Sequence, residues 1–200
     1  MSGTAGNDNL SGGPSNNTIQ GNGGSDSVIG DNGNDRVYGN AGNDTVKGGA
    51  GNDFVSGGAG NDWVAGGQGN DTVMGGTGND IVSGGTGDDL LFGGQVGGVA
   101  IVAEKDILSG GSGRDKFFLW NDGAQRNFYE GFGDADYADI VDFTSEDQII
   151  LGAGEGYTFG TTGAHTQIFN NGDLVAIVRN ASVESVQSGI RYIQPDPVEA

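Results

Sequence analysis

Gly48-Gly49-Ala50-Gly51-Asn52-Asp53-Phe54-Val55-Ser56 is followed at once by Gly57-Gly58-Ala59-Gly60-Asn61-Asp62-Trp63-Val64-Ala65, one nine-residue phrase stated twice. Outward from this pair, the phrase Gly-Gly-x-Gly-x-Asp-x-Val-x runs almost unbroken from Gly3 to Phe92. Its sixth position holds Asp8, Asn17, Asp26, Asp35, Asp44, Asp53, Asp62, Asp71, Asp80 and Asp89. Its eighth holds Leu10, Ile19, Val28, Val37, Val46, Val55, Val64, Val73, Val82 and Leu91. The second copy is worn: Ser15 replaces a glycine and Asn17 the carboxylate. After Gly93-Gly94 the register slips by about eight residues, resumes at Asp106-Ile107-Leu108-Ser109, and closes with a full copy from Gly110 to Phe118.

Each phrase divides physically. Its first six residues carry up to three glycines, which admit positive φ and close backbone approach, so this half is a turn. Asn43, Asn52, Asn61, Asn70 and Asn79 at position five also tolerate left-handed geometry. The last three residues read polar, apolar, polar or nearly so, a short strand with one side chain pointing inward. Two phrases then make one flattened coil of eighteen residues, and stacked coils make an all-β parallel β-roll. The parallel crossover rule makes it right-handed. A turn lies against the turn two phrases away. One edge therefore carries Asp8, Asp26, Asp44, Asp62 and Asp80, and the other Asp35, Asp53, Asp71, Asp89 and Asp115. Asp106 stands in the resumed register.

Burial alone does not hold such a coil. It encloses about two Val-sized side chains while ordering eighteen glycine-rich residues, and its aligned carboxylates repel. The chain has 27 acidic against 8 basic residues and a net charge of -19. That balance disfavours nucleic acid and anionic membrane as partners and favours cations. A hard dication with oxygen ligands fits the columns. Calcium fits better than magnesium, which demands octahedral geometry and keeps its waters. With about four gaps between turns on each edge, about eight calcium ions are expected. There is no cysteine, which excludes disulfides. No apolar run reaches the ~18 residues of a membrane helix. Met1–Ala5 has neither a basic region nor an apolar stretch, so no cleavable N-terminal signal is expected.

The run Gly39–Phe92 resembles the RTX (repeats-in-toxin, hemolysin-type) calcium-binding nonapeptide array, and the resemblance covers about the first 118 residues. It implies calcium ligands at Asp26, Asp35, Asp44, Asp53, Asp62, Asp71, Asp80 and Asp89, and also at Asp8, Asp106 and Asp115. Asn17 departs from the pattern. The tail, with Asp139-Ile140-Val141-Asp142-Phe143 and Asp147-Gln148-Ile149-Ile150-Leu151, is similar to the C-terminal caps of bacterial RTX proteins. In that family the cap covers the open end of the roll and contains an uncleaved type I secretion signal. The resemblance thus implies a roll over 3–118 with an insertion near 95–105. It implies a small β-rich cap and secretion-signal region over 119–200. It also implies recognition by the type I secretion machinery and a secreted, extracellular or cell-surface location, where calcium converts a disordered acidic chain into a rigid element.

The tail holds two further local signals. Asn171-Gly172, between Gln167–Asn170 and Asp173–Val178, favours a type I′ hairpin turn, and Ser182–Ser188 suggests a short helical turn. Trp120–Tyr137 is an acidic, aromatic loop without clear periodicity.

No enzyme signature is present. The single histidine, His165, excludes a His-Glu-x-x-His zinc site, and no Gly-x-Ser-x-Gly elbow occurs. A non-enzymatic role is expected. Tyr38, Phe54, Met74, Leu90 and Phe92 fall on one outer face, and Trp63, Ile81 and Ile29 on the other. Such an apolar strip either packs under the insertion or tail or offers a surface to a protein or polysaccharide partner. Ice binding would need a regular threonine ladder, whereas Thr18, Thr45 and Thr72 alternate faces. An accessory targeting or folding module of a larger secreted enzyme is the alternative reading, since the chain starts almost directly inside a repeat.

Overall fold

The computed structural model describes residues 1–94, 104–121, 126–127, 137–152 and 156–193. Positions seven to nine of each phrase continue as strand through the glycines of the next, because backbone without side chains packs flat against the neighbouring coil. The strands are β1 (Asn9–Gly13), β2 (Thr18–Gly23), β3 (Ser27–Asn32), β4 (Arg36–Ala41), β5 (Thr45–Ala50), β6 (Phe54–Ala59), β7 (Trp63–Gln68), β8 (Thr72–Thr77), β9 (Ile81–Thr86) and β10 (Leu90–Gly94). After the insertion follow β11 (Lys105–Ser112) and β12 (Lys116–Phe118). Odd strands pair in one parallel sheet and even strands in another. Val28 stands opposite Val46 and Val46 opposite Val64, so one coil is the eighteen residues that the repeat dictates.

The insertion is absorbed in a single turn. Leu108 pairs with Val82 and Phe117 with Leu91, a step of twenty-six residues in place of eighteen. Residues 95–103, which hold most of the inserted segment, lie outside the described residues.

Both ladders continue across the expected boundary at 118. A short antiparallel pair, β13 (Trp120–Asn121) and β14 (Arg126–Asn127), interrupts them, and most of the expected 120–137 loop lies outside the described residues. Then β15 (Tyr137–Ile140) adds to β11, and β16 (Gln148–Gly152) adds to β12, both parallel. An antiparallel meander, β17 (Tyr157–Thr162), β18 (His165–Asn170) and β19 (Asp173–Val178), closes the odd sheet by pairing β19 with β15. Asn171 and Gly172 link β18 to β19 with φ of 51° and 97°, the left-handed pair that the hairpin requires. Helix α1 (Val183–Gly189), N-capped by Ser182, leads into β20 (Ile190–Ile193), which closes the even sheet.

Position eight builds the core. Val28, Val46, Val64, Val82, Leu108 and Ile140 line one sheet, and Ile19, Val37, Val55, Val73, Leu91, Phe117 and Ile149 the other; all are fully buried. Larger residues fill the interior at the C-terminal end, where the Phe117 ring lies 6.3 Å from that of Phe143. Phe117→Ala is expected to destabilise the folded protein by about 3–5 kcal/mol, read as a lowered urea midpoint.

The outer faces differ from each other. Tyr38, Phe54, Met74, Leu90 and Phe92 are half-buried on the even sheet, where Tyr38 meets Phe54 at 5.7 Å and Phe92 stacks on Phe118 at 4.5 Å. On the odd sheet Trp63 and Ile81 are exposed, and the Lys47 ammonium lies over the Trp63 ring.

Candidate metal centre

The turns stack into two columns with the membership that the spacing predicts. In the first, each aspartate N–H donates to the Oδ1 of the aspartate one coil later: Asp8 to Asp26 at 2.8 Å, Asp26 to Asp44 at 2.7 Å, Asp44 to Asp62 at 2.8 Å, Asp62 to Asp80 at 2.8 Å and Asp80 to Asp106 at 2.8 Å. In the second, Asn17 donates to Asp35, Asp35 to Asp53, Asp53 to Asp71, Asp71 to Asp89 and Asp89 to Asp115. All of these aspartates except Asp8 are buried.

The other carboxylate oxygen is the informative one. Oδ2 of Asp26, Asp35, Asp44, Asp53, Asp62, Asp71, Asp80, Asp89 and Asp115 is buried without a hydrogen-bond partner. Each is turned toward the space beside the first glycine of its own phrase. A β-carbon on Gly57 would overlap Asp62 Oδ2 and stand 2.6 Å from the Gly75 carbonyl oxygen of the following turn. The same pairing of a carboxylate oxygen with the next turn's first carbonyl recurs beside Gly21, Gly30, Gly39, Gly48, Gly66, Gly75 and Gly84. Beside Gly110 the three nearest atoms all belong to Asp115. At these first glycines a side chain therefore has no room, because a carboxylate oxygen and a carbonyl oxygen crowd the α-carbon together. The fourth serves stacking: Gly60 has φ of 132°, and a β-carbon there would overlap the Gly42 carbonyl oxygen.

Burial raises the carboxyls of Asp44, Asp53, Asp62, Asp71, Asp80, Asp89 and Asp115 above the ordinary value of 3.8, opposed by the N–H bond from the preceding aspartate and reinforced by the charge of neighbouring carboxylates. Asp44 and Asp53 are raised, and Asp62, Asp71 and Asp115 reach about 6. Asp89 reaches about 7. Asp80 reaches about 8, where Asp106 is the largest contributor after burial.

The predicted ligand Asp8 and the worn position Asn17 differ from the rest. Asp8 is half-buried, and its Oδ2 accepts the Thr4 N–H at 2.6 Å and the Thr4 hydroxyl at 2.9 Å. Asn17 turns its amide to the Ser15 carbonyl. The position-five asparagines also depart from expectation. Asn43, Asn52, Asn61, Asn70 and Asn79 are absent from the left-handed residues, which instead include Asn22, Asp31 and Asn40 at position two. They form an outer ladder: the Asn61 N–H donates to Asn43 Oδ1 at 2.9 Å and the Asn70 N–H to Asn52 Oδ1 at 3.0 Å. Their amides are thus selected as acceptors one coil apart.

Sequence reasoning missed one more turn. Asp142–Asp147 occupies the place of a seventh turn in the second column, and the Asp115 N–H donates to Asp147 Oδ1 at 2.9 Å. Asp147 Oδ2 accepts the Thr144 N–H at 2.7 Å, and Asp142 accepts from Gly110 and Gly111 N–H and the Ser109 hydroxyl. The turn contains no glycine, which hid it. Asp147-Gln148-Ile149 nevertheless keeps the acid–x–apolar ending of every phrase but the second.

The donor set suits calcium. Among the described residues no three acidic, histidine or cysteine side chains converge as a metal-holding group, so backbone carbonyls must supply much of any coordination shell. Calcium accepts that mixture of carboxylate and carbonyl oxygen. Buried carboxylate oxygens without donors carry a large desolvation cost that a bound cation offsets.

The family described as the RTX calcium-binding nonapeptide repeat (four copies) matches residues 2–37, 29–64, 38–73, 65–96 and 103–122. No curated protein matches the chain in sequence. Among solved structures, the extracellular lipase LipA from Serratia marcescens is similar, with a TM-score of 0.33 and 13% identity. That similarity covers 94% of this chain and 38% of the lipase, so the chain spans well under half of the lipase's length. With matches over more than half its length and both carboxylate columns in register, the chain belongs to the RTX calcium-binding nonapeptide repeat family.

Proposed function

We propose that the chain is a calcium-triggered folding element of an exported bacterial protein, structural rather than catalytic. The observation that carries this reading is that, among the described residues, nine buried aspartate Oδ2 atoms have no donor and eight of them lie beside a first glycine together with a carbonyl oxygen of the next turn. About eight calcium ions would sit there, held by Asp26, Asp35, Asp44, Asp53, Asp62, Asp71, Asp80 and Asp89 together with first-glycine carbonyls. Asp115 offers a ninth carboxylate without the matching carbonyl. Bound calcium supplies positive charge between stacked carboxylates. The chain's part is to present Oδ2 and carbonyl oxygens at one spacing, while Oδ1 and the outer asparagine ladder fix the turns in register. Asp8, already satisfied by Thr4, is assigned to capping the open end.

The coupling to export follows from the charge. A chain at -19 stays unfolded where calcium is scarce, passes a type I exporter in that state, and folds outside at millimolar calcium. Circular dichroism of chelated protein at pH 7.5 tests the reading. A cooperative coil-to-β transition is expected near ~10⁻⁴–10⁻³ M calcium, with little response to equal magnesium. A chain fully folded in chelator would overturn it.

A further inference from the structure

With 27 acidic residues against 8 basic ones, a lysine of this chain has carboxylates in excess to pair with. Two lysines take aromatic rings instead. The Lys47 ammonium lies 5.0 Å from the centre of the Trp63 ring, and the Lys105 ammonium 4.8 Å from that of the Tyr137 ring. Among the described residues the ion pairs are Arg114–Asp88 and Arg179–Asp139, so neither lysine has a carboxylate partner there. Both lysines are exposed, and both rings belong to the odd sheet, on β7 and β15.

Between them runs an apolar row. Trp63 pairs with Ile81 and Ile81 with Ile107, so three large side chains lie side by side across β7, β9 and β11, a row about 10 Å long. Trp63 is 36% exposed and Ile81 46%, and Ile107 is half-buried. The next outward positions on the same strands are Ala65, Ser83 and Ser109, so the row stands beside a shelf of small residues. The carboxylates of the repeats are turned into the two columns. Asp139, opposite Ile107 at the end of the row, is buried and held by the Arg179 guanidinium. Asp31, the one outward acid on β1 to β11 of this sheet, lies away from the row on β3, where it accepts from Ser11 and Gly13. This face is therefore apolar and cationic on an otherwise acidic molecule.

We propose that the outer face of the odd sheet docks an anionic polysaccharide, with sugar C–H faces on Trp63, Ile81 and Ile107 and sugar carboxylates drawing Lys47 and Lys105 off their aromatic rings. Charge complementarity sets the sign of the partner. Shape sets its class. Extended peptides dock by adding to a free sheet edge or by lying in a hydrophobic groove, and a row inside a ten-stranded sheet offers neither. A stiff chain of rings that crosses the strands needs only a flat apolar track with point charges beside it. Lysine supplies such a charge on a flexible stem, able to exchange a ring for a carboxylate. The proposal rests on the calcium reading above, because a polyanion approaches a chain at -19 only after cations fill the columns.

Native gels run in saturating calcium test the proposal. They are cast with hyaluronan or carboxymethylcellulose, which carry carboxylates, or with hydroxyethylcellulose, which is neutral. The wild type is expected to be retarded in both carboxylated gels and to run freely in the neutral one. Trp63→Ala is expected to raise the Kd read from the retardation at least about tenfold, and Lys47→Gln combined with Lys105→Gln by a similar factor. Ile81→Ser, which leaves Trp63 in place, is expected to weaken retardation about fivefold. Arg36→Gln removes an exposed cation from the other sheet and is expected to run like the wild type. Retardation that is absent from both carboxylated gels, equal in the neutral gel, or unchanged in the odd-sheet variants would overturn the proposal. Equal retardation by poly-glutamate would overturn it too, by assigning the face to charge alone. Circular dichroism of the same samples keeps the two readings apart. A wild type that is unfolded in saturating calcium removes the calcium reading, whereas a folded one that runs freely in every gel removes only the polysaccharide.

Discussion

In chelator the chain is expected to gain β structure as the pH falls from about 8 to about 4.5, the reverse of ordinary acid denaturation. The sign follows from the carboxyls. Asp62, Asp71 and Asp115 titrate near about 6 in the fold, Asp89 near about 7 and Asp80 near about 8, against 3.8 for a free side chain. Asp44 and Asp53 shift in the same direction. The metal-free fold therefore binds more protons than the unfolded chain across this window. The stability it draws from protonation is full below 3.8 and is lost as the pH rises through about 6 to 8. Protons and calcium compete for the same oxygens, so the dependence inverts when calcium is present. The free calcium needed for half-folding is expected to fall as the pH rises from about 5 to about 8. Circular dichroism at fixed chelator, then at buffered free calcium, reads both slopes. A calcium midpoint indifferent to pH would mean that the buried carboxyls are not the ligands.

How the columns form explains what the sequence could disclose. The eighteen-residue coil, both edges and the eighth positions, fully buried from Ile19 to Leu91, all follow from one local rule repeated, in which glycine allows the turn and Val fills the inside. A side chain selected the same way ten times is legible from one copy. The insertion was legible for the same reason, since Asp106 and Asp115 resume the phrase. What escaped depends on contacts between coils or on residues used once. The asparagine ladder needs the distance between Asn43 Oδ1 and the Asn61 N–H, which composition does not contain. The turn Asp142–Asp147 replaces glycine geometry with side-chain acceptors, so its likeness to the other turns is in its hydrogen bonds. The Thr4 hydroxyl on Asp8 and the Glu104 side chain beneath Gly78 are likewise single events without a period. The roll therefore extends further toward the C-terminus in its hydrogen bonding than in its sequence motif.

Asp62→Asn is expected to change stability in opposite directions with and without calcium, and this is the sharper test of the columns. Asp62 stands in mid-column. Its Oδ1 accepts the Asp44 N–H, its own N–H reaches Asp80 Oδ1, and its Oδ2 is buried without a donor. Asparagine keeps the first two bonds. At the Oδ2 position it places an amide near the Gly75 carbonyl, which crowds the Gly57 α-carbon together with Asp62 Oδ2. Without calcium the substitution removes a buried charge and its repulsion from Asp44, and the fold gains. With calcium it removes one partner of a buried ionic contact, a loss of about 3–5 kcal/mol. Urea midpoints in saturating calcium read the loss. The concentration of a stabilising osmolyte that folds the chelated chain at pH 8 reads the gain, since excluded osmolytes favour the compact state without binding the columns. Asp8→Asn is the comparison: its Oδ2 already has Thr4 as donor and the residue is half-buried, so both readings are expected to move by less than about 1 kcal/mol. A loss of similar size for Asp62→Asn in both conditions would assign the aspartates to hydrogen bonding alone, because only a cation makes the missing charge matter in one condition and help in the other.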